Sequence, residues 1–207
     1  MPRRAIPLVA GEYYHIYNRG NNRQPIFFER ENYLFFLRRA RERLMGHQGP
    51  AGEPDSRSPG ARVFCSIAAY CLMPNHYHLL VCPTDDQFSR HMQGFSGSYT
   101  KAINKRYERV GALFQGPFHA LRVDRSEYLL HLSRYVHLNP VQAGLVKQAH
   151  DWEFSSYREY AGLRYGTLPR PDVVLSQFPS RDAYRQFVEA SEPGDEKVIS
   201  HLLFDEG

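Results

Sequence analysis

The stretch Met73-Pro74-Asn75-His76-Tyr77-His78-Leu79-Leu80-Val81 decides how the rest of the chain is read. It is apolar and β-prone around a His-x-His pair, which predicts a strand. Side chains on a strand alternate between faces, so His76 and His78 share one face while Tyr77, Leu79 and Val81 take the other. Two imidazoles on one sheet face can chelate a divalent metal. The same pair also suits surface or hydrogen-bonded core histidines, and the dyad alone does not choose between these readings.

Working outward, Pro74-Asn75 reads as the turn of a hairpin that joins residues 63–72 to residues 76–82. Residues 12–18 alternate aromatic and β-branched side chains and predict a first strand, followed by the turn residues Arg19-Gly20-Asn21-Asn22. Residues 29–45 predict a helix with Tyr33, Phe36, Leu37 and Leu44 as its apolar stripe. Residues 46–60 are rich in Gly, Pro, Ser and Asp and read as a flexible insertion. A second helix is expected over 87–109, and a short strand pair over 112–123, broken at Gly116-Pro117. Asp124 or Ser126 should cap a third helix, with Glu127 in its first turn. That helix runs through Tyr128, Leu132, Tyr135 and Val136 to Asn139-Pro140, where proline should end it. Beyond Trp152 the chain reads as loops and a final helix near 181–190. The order β-α-β-β-α-(β)-α predicts an α+β fold, a ferredoxin-like antiparallel sheet packed with helices. We expect residues 1–165 to form the main domain and residues 166–207 a C-terminal helical extension with an acidic tail.

Composition narrows the class. A chain of 207 residues with 42% hydrophobic and 14% aromatic content is globular. No stretch approaches the roughly 18 uncharged apolar residues of a membrane span. The basic Met-Pro-Arg-Arg start lacks the apolar core of a signal peptide. Cys65, Cys71 and Cys82 form no CxxC pair, which predicts reduced thiols in the cytosol and disfavours a cysteine-rich zinc site. The net charge is only +4, but residues 1–43 hold nine arginines against four acids. Residues 90–125 hold seven basic groups against two acids, and the last sixteen residues reverse the sign. Arginines interleaved with Tyr and Phe suit a polyanion with stackable bases, although a solvated basic surface has the same composition.

The third helix carries the other reactive group. Tyr135 and Asn139 lie four apart and share a face, with His131 one turn earlier. A phenol is a weak nucleophile near its usual pKa and needs a polarised electrophile. A metal held by His76, His78 and the amide oxygen of Asn139 would supply one, at a phosphodiester presented to Tyr135. The bland readings stand beside this. Tyr135 also fits as half-buried packing, Asn139 as a helix stop before proline, and His119, His131 and His137 as polar surface residues. Tyr128 is an alternative nucleophile.

Five stretches together resemble a known family. They are Tyr14-His15-Ile16-Tyr17-Asn18-Arg19-Gly20, the His76 and His78 segment, and Leu113-Phe114-Gln115-Gly116. The others are Arg134-Tyr135-Val136-His137-Leu138-Asn139-Pro140-Val141-Gln142-Ala143-Gly144-Leu145-Val146 and Trp152-Glu153-Phe154-Ser155-Ser156-Tyr157. In order and spacing, over about residues 10–160, they resemble the REP-associated tyrosine transposases, a group of single-tyrosine HUH transposases. The resemblance implies the HUH endonuclease fold and a metal-dependent single-stranded DNA endonuclease and strand transferase acting on hairpin-forming repeats. It implies His76 and His78 as metal ligands, Asn139 as the third ligand, and Mg²⁺ or Mn²⁺ as the ion. Related insertion-sequence enzymes carry glutamine where Asn139 stands. Tyr135 would be the nucleophile that forms a 5′-phosphotyrosine and frees a 3′-hydroxyl. The absence of a GxxxxGK[ST] loop agrees with a reaction that needs no ATP.

Arg19, Arg23, Lys101, Lys105, Arg106, Arg122 and Arg125 are expected to contact the DNA backbone or a hairpin stem. A second copy of the chain is a further candidate partner, and the expected location is the bacterial cytoplasm, at the nucleoid. Three rival readings remain at this point. One is a non-catalytic nucleic-acid module, which leaves the His-x-His and Tyr-x-x-x-Asn pairings unexplained. Another is a replication initiator or relaxase, many of which carry lysine where Leu138 stands. The third is a metal hydrolase that uses water.

Overall fold

The computed structural model describes residues 8–46, 63–190 and 195–203. Beyond Gly46, the insertion expected over 46–60 lies outside the described residues, as does the end of the acidic tail. Strands β1 (Tyr13–Arg19), β2 (Cys65–Met73), β3 (His76–Pro83) and β4 (His119–Val123) form one antiparallel sheet in the order β2-β3-β1-β4. Helix α1 (Arg30–Ala40), prolonged by a π turn over Arg41–Met45, links β1 to β2. Helix α2 (Phe88–Arg106) links β3 to β4. This connectivity and strand order are ferredoxin-like, as the sequence predicts.

The inner strands are buried on both faces, which explains the unbroken apolar run Leu79-Leu80-Val81. One face carries Tyr14, Ile16, Tyr77, Leu79 and Val81 against Phe36 of α1 and Phe95 and Tyr99 of α2. Phe36 anchors that side, with its ring centroid 4.8 Å from Phe95 and 5.0 Å from Tyr77. The other face carries Cys71 and Leu80 against Leu132 and Val136 of helix α3 (Ser126–Gln142). The same cluster takes in side chains from α4 (Tyr157–Tyr160), α5 (Asp172–Leu175) and α6 (Arg181–Glu189). A 3₁₀ segment, Asp195–Leu202, adds Ile199 and Leu202.

Four expectations are corrected. Residues 112–123 hold one strand, β4, and Phe114 adds only an isolated bridge to Gly20. Neither Asp124 nor Ser126 caps α3: the N-cap is Arg125, and no side chain closes that end. The helix also runs past Pro140 to Gln142. In the last turn the ring removes one backbone donor without breaking the helix. Gly144 makes the actual stop, at φ +68, with the Leu145 N–H on the Pro140 carbonyl and the Gly144 N–H on Val141. Finally, His137 is no surface residue. It is fully buried and bonds Tyr184 Oη at 2.7 Å and Ser156 Oγ at 2.8 Å. Among the described residues, no helix is long and apolar enough to cross a membrane.

Candidate active site

Antiparallel register sets the first two candidate side chains. Tyr17 pairs with His78 and Arg19 with His76, so His15, Tyr17 and Arg19 of β1 share the α3-facing surface with both histidines. The hairpin turn beside them is tied to the end of β1. Gly20 donates its N–H to the Asn75 carbonyl at 2.7 Å. Glycine is required there, because a Cβ would stand 1.9 Å from the Gln24 carbonyl oxygen.

Hydrogen-bond directions fix the ring tautomers. Asn75 Nδ2 donates to the Arg23 carbonyl at 3.1 Å, which turns its Oδ1 toward His76 Nδ1 at 2.7 Å. His76 therefore carries its hydrogen on Nδ1 and keeps a lone pair on Nε2. That Nε2 lies 3.2 Å from Asn139 Oδ1. Two acceptors face one another, an arrangement satisfied by a cation between them or by the amide turned over.

His78 is set by a longer chain of contacts. His15 Nδ1 lies 2.6 Å from the Leu202 carbonyl oxygen, and His15 Nε2 lies 2.9 Å from His78 Nδ1. The two ring planes are 22° apart and their centroids 5.1 Å apart, so the rings meet nearly in plane. Burial holds all three imidazoles neutral. The pKa of His15 is pushed down to about 4, with partial relief from the Leu202 carbonyl. That of His76 is also pushed down to about 4 by burial, opposed by Asn139 and reinforced by Arg19. His78 lies well below the usual imidazole value because of burial, then His76 and His15.

Helix α3 brings Tyr135 and Asn139 over this surface, both of them buried. The Tyr135 ring centroid is 5.5 Å from that of His78 and 6.3 Å from that of His15, edge to face in each case. Four-residue helical spacing puts Asn139 on His76 while Tyr135 stands over His78. Two neutral imidazole nitrogens and an amide oxygen fit a weakly held divalent ion whose remaining positions a phosphate would fill. Among the described residues, no three His, Cys, Asp or Glu side chains are grouped to hold one.

The seven basic candidates separate. Arg19 is half-buried beside His76, with its Nε on Gln115 Oε1 at 3.1 Å. Arg23 is exposed in the adjoining turn at φ +57. Arg125 heads α3, its guanidinium 5.3 Å from the Tyr128 ring centre. Arg122 pairs with Glu12 at 2.9 Å, and Arg106 with Glu29 at 2.7 Å. Lys101 and Lys105 are exposed on α2, behind the sheet as seen from the histidines.

Tyr128 turns away, toward His201 at 5.0 Å between centroids. His131 lies against Arg134 and Phe187. His119 stacks on Tyr17 at 4.9 Å. Sequence reasoning gave His15 no role, although the alternation of β1 already put it on the face of Tyr17 and Arg19.

A family model described as "Transposase IS200 like" matches residues 60–139, a span that contains His76, His78, Tyr135 and Asn139. The chain is 32% identical over 95 residues to the REP-associated tyrosine transposase of Escherichia coli (strain K12), covering 44% of this chain and 53% of that protein. It is 31% identical over 102 residues to a putative REP-associated tyrosine transposase of Haemophilus influenzae, covering 43% and 57%. The chain thus spans just over half the length of these curated relatives. A solved structure of a REP-associated tyrosine transposase bound to a REP hairpin superposes with a TM-score of 0.58 at 20% identity, over 84% of this chain and 93% of that one. At that identity the superposition shows a shared fold. Over residues 60–139 the chain is thus similar to the IS200-like transposases, and over somewhat under half its length to REP-associated tyrosine transposases.

Proposed function

We propose that this protein is a transposase-like, metal-dependent single-stranded DNA endonuclease and strand transferase. It acts in the cytoplasm on hairpin-forming repeats through a covalent 5′-phosphotyrosine. The observation that carries the reading is the 5.5 Å approach of the Tyr135 and His78 rings, made by residues from a helix and a strand far apart in sequence. The related proteins named above, one of them solved with a REP hairpin, support the substrate class.

Tyr135 is the nucleophile. Its oxygen forms a bond to the phosphorus of a phosphodiester while the bond from phosphorus to the 3′-oxygen breaks. The phenol proton passes by way of solvent to the departing 3′-oxygen. The reverse step, with any 3′-hydroxyl as attacker, rejoins strands and restores the phenol, so the energy of the broken bond is kept. A divalent ion bound by His76, His78 and Asn139 would draw charge from the non-bridging phosphate oxygens. Arg19 and Arg23 border the site and hold the backbone nearest the scissile phosphate. Arg125, Arg122, Arg106, Lys101 and Lys105 lie farther out and meet the DNA only where a hairpin stem wraps the protein.

The test is to mix the protein with end-labelled hairpin DNA carrying a single-stranded flank and Mg²⁺ or Mn²⁺. A labelled protein band that survives denaturation, and disappears with chelator, is expected. Cleavage with multiple turnover and no adduct would mean hydrolysis by water, and binding without cleavage would mean a non-catalytic module.

A further inference from the structure

We propose that His15 is a positioning residue whose ring, anchored by the Leu202 carbonyl, fixes the hydrogen of His78 on Nδ1 and thereby leaves the His78 Nε2 without a hydrogen, as a nitrogen that binds a cation must be. The argument counts hydrogens. A carbonyl oxygen only accepts, so the 2.6 Å contact requires the hydrogen of His15 on Nδ1. Nε2 of that neutral ring is then an acceptor, and the 2.9 Å contact requires the donor to be His78 Nδ1. A neutral His78 with its hydrogen there has none on Nε2. Each link follows from the one before, and the first is a backbone oxygen that cannot change role.

The arrangement matters because an imidazole left to itself in water prefers its hydrogen on Nε2, which is the wrong nitrogen for this purpose. His76 is directed separately, by Asn75, toward the same tautomer. Orientation of a metal-binding histidine through its second nitrogen usually runs through a carboxylate or a carbonyl. Here a second imidazole is interposed, and it carries the constraint from the C-terminal 3₁₀ segment across β1 to β3. His15 and His78 are both fully buried, so water does not compete for these bonds.

The experiment uses the full chain with ¹⁵N-labelled histidine, free of metal and DNA, and reads the ring tautomer of His78 from long-range proton–nitrogen spectra. The wild type should show His78 with its hydrogen on Nδ1. His15→Phe keeps the ring and removes both bonds. It should move that hydrogen to Nε2 and weaken Mn²⁺ binding about tenfold or more, as loss of such orienting contacts does elsewhere. In His15→Gln the amide NH₂ can donate to Leu202 and the oxygen can accept from His78, so tautomer and affinity should recover. A wild-type His78 with its hydrogen on Nε2 overturns the proposal, and it does so even if neither variant folds. So does a folded His15→Phe with unchanged tautomer, or a folded His15→Gln no better than His15→Phe. The Mn²⁺ arm rests on the proposed function and the tautomer arm does not. A wild-type chain without adduct would end the functional reading alone, and a wrong tautomer would end this one alone.

Discussion

The rings of Tyr135 and His78 cross at 79° with 5.5 Å between centroids, which sets a tyrosine of α3 against a strand residue 57 positions earlier. Tyr128, two turns up the same helix, makes no such approach and contacts His201 instead. Tyr135→Phe should therefore lose the DNA adduct entirely, while Tyr128→Phe should keep it within about threefold. DNA affinity of both should stay close to wild type, because phosphate contacts dominate binding. Gel separation of labelled adduct decides this, and an adduct that survives in Tyr135→Phe would reassign the nucleophile.

His76→Ala and His78→Ala each remove one of the two proposed imidazole donors. Both should abolish metal-dependent cleavage and lower Mn²⁺ affinity by tenfold or more, measured by titration of the free ion signal. Asn139→Ala should be milder, since water can replace a neutral amide oxygen. Equal activity of the wild type in chelator would remove the metal from the account.

Position relative to the sheet ranks the basic residues. Arg19→Ala should weaken hairpin binding more than Lys101→Ala or Lys105→Ala, by about threefold to tenfold, and should lower the slope of log affinity against log salt by about one. Fluorescence anisotropy across a salt series checks both quantities. A larger loss from the α2 lysines would place the DNA on the far side of the molecule.

Acid should destabilise the metal-free protein. The folded pKa values of His15 and His76 are lowered to about 4, that of His137 to about 3, and that of His78 well below the ordinary 6.5. An unfolded chain takes up these protons below 6.5 and the folded one does not. Their contribution is thus complete above that pH and is lost as the pH falls toward the folded values. Each buried imidazole costs about 1.4 kcal/mol per pH unit in that window. Thermal melts from pH 7 to pH 4 should show a steepening fall, and a flat profile would contradict the burial of these rings.

Gly20→Ala forces a Cβ into the Gln24 carbonyl and pushes on the turn that holds Asn75. A cost of about 1–3 kcal/mol is expected, which is roughly 2–10 °C in melting temperature for a chain of this size. Because Asn75 directs His76, Mn²⁺ affinity should fall along with stability.

Periodicity made most of this architecture readable. Alternation in Glu12–Asn18 and His76–Cys82 located β1 and β3 and assigned both histidines to one face, and four-residue spacing joined Tyr135 to Asn139. Local rules failed at the ends of α3. Pro140 reads as a stop, yet its missing donor costs one bond in a final turn that Gly144 closes anyway. His15 and His137 were harder for another reason. Each is defined by partners far away in sequence, Leu202 and His78 for the first and Tyr184 and Ser156 for the second. A lone histidine carries no trace of such partners, whereas a paired one does.

The oxygen that Leu202 offers to His15 belongs to the main chain, and all twenty amino acids possess it. Replacing that leucine reports only the loss of an apolar plug, and the donor beneath would hardly notice. Adding or deleting one residue between Lys197 and Leu202 is a different operation, since it drags the oxygen out of reach. At this spot the protein behaves like a ruler: the number of links is the specification, and their spelling is secondary.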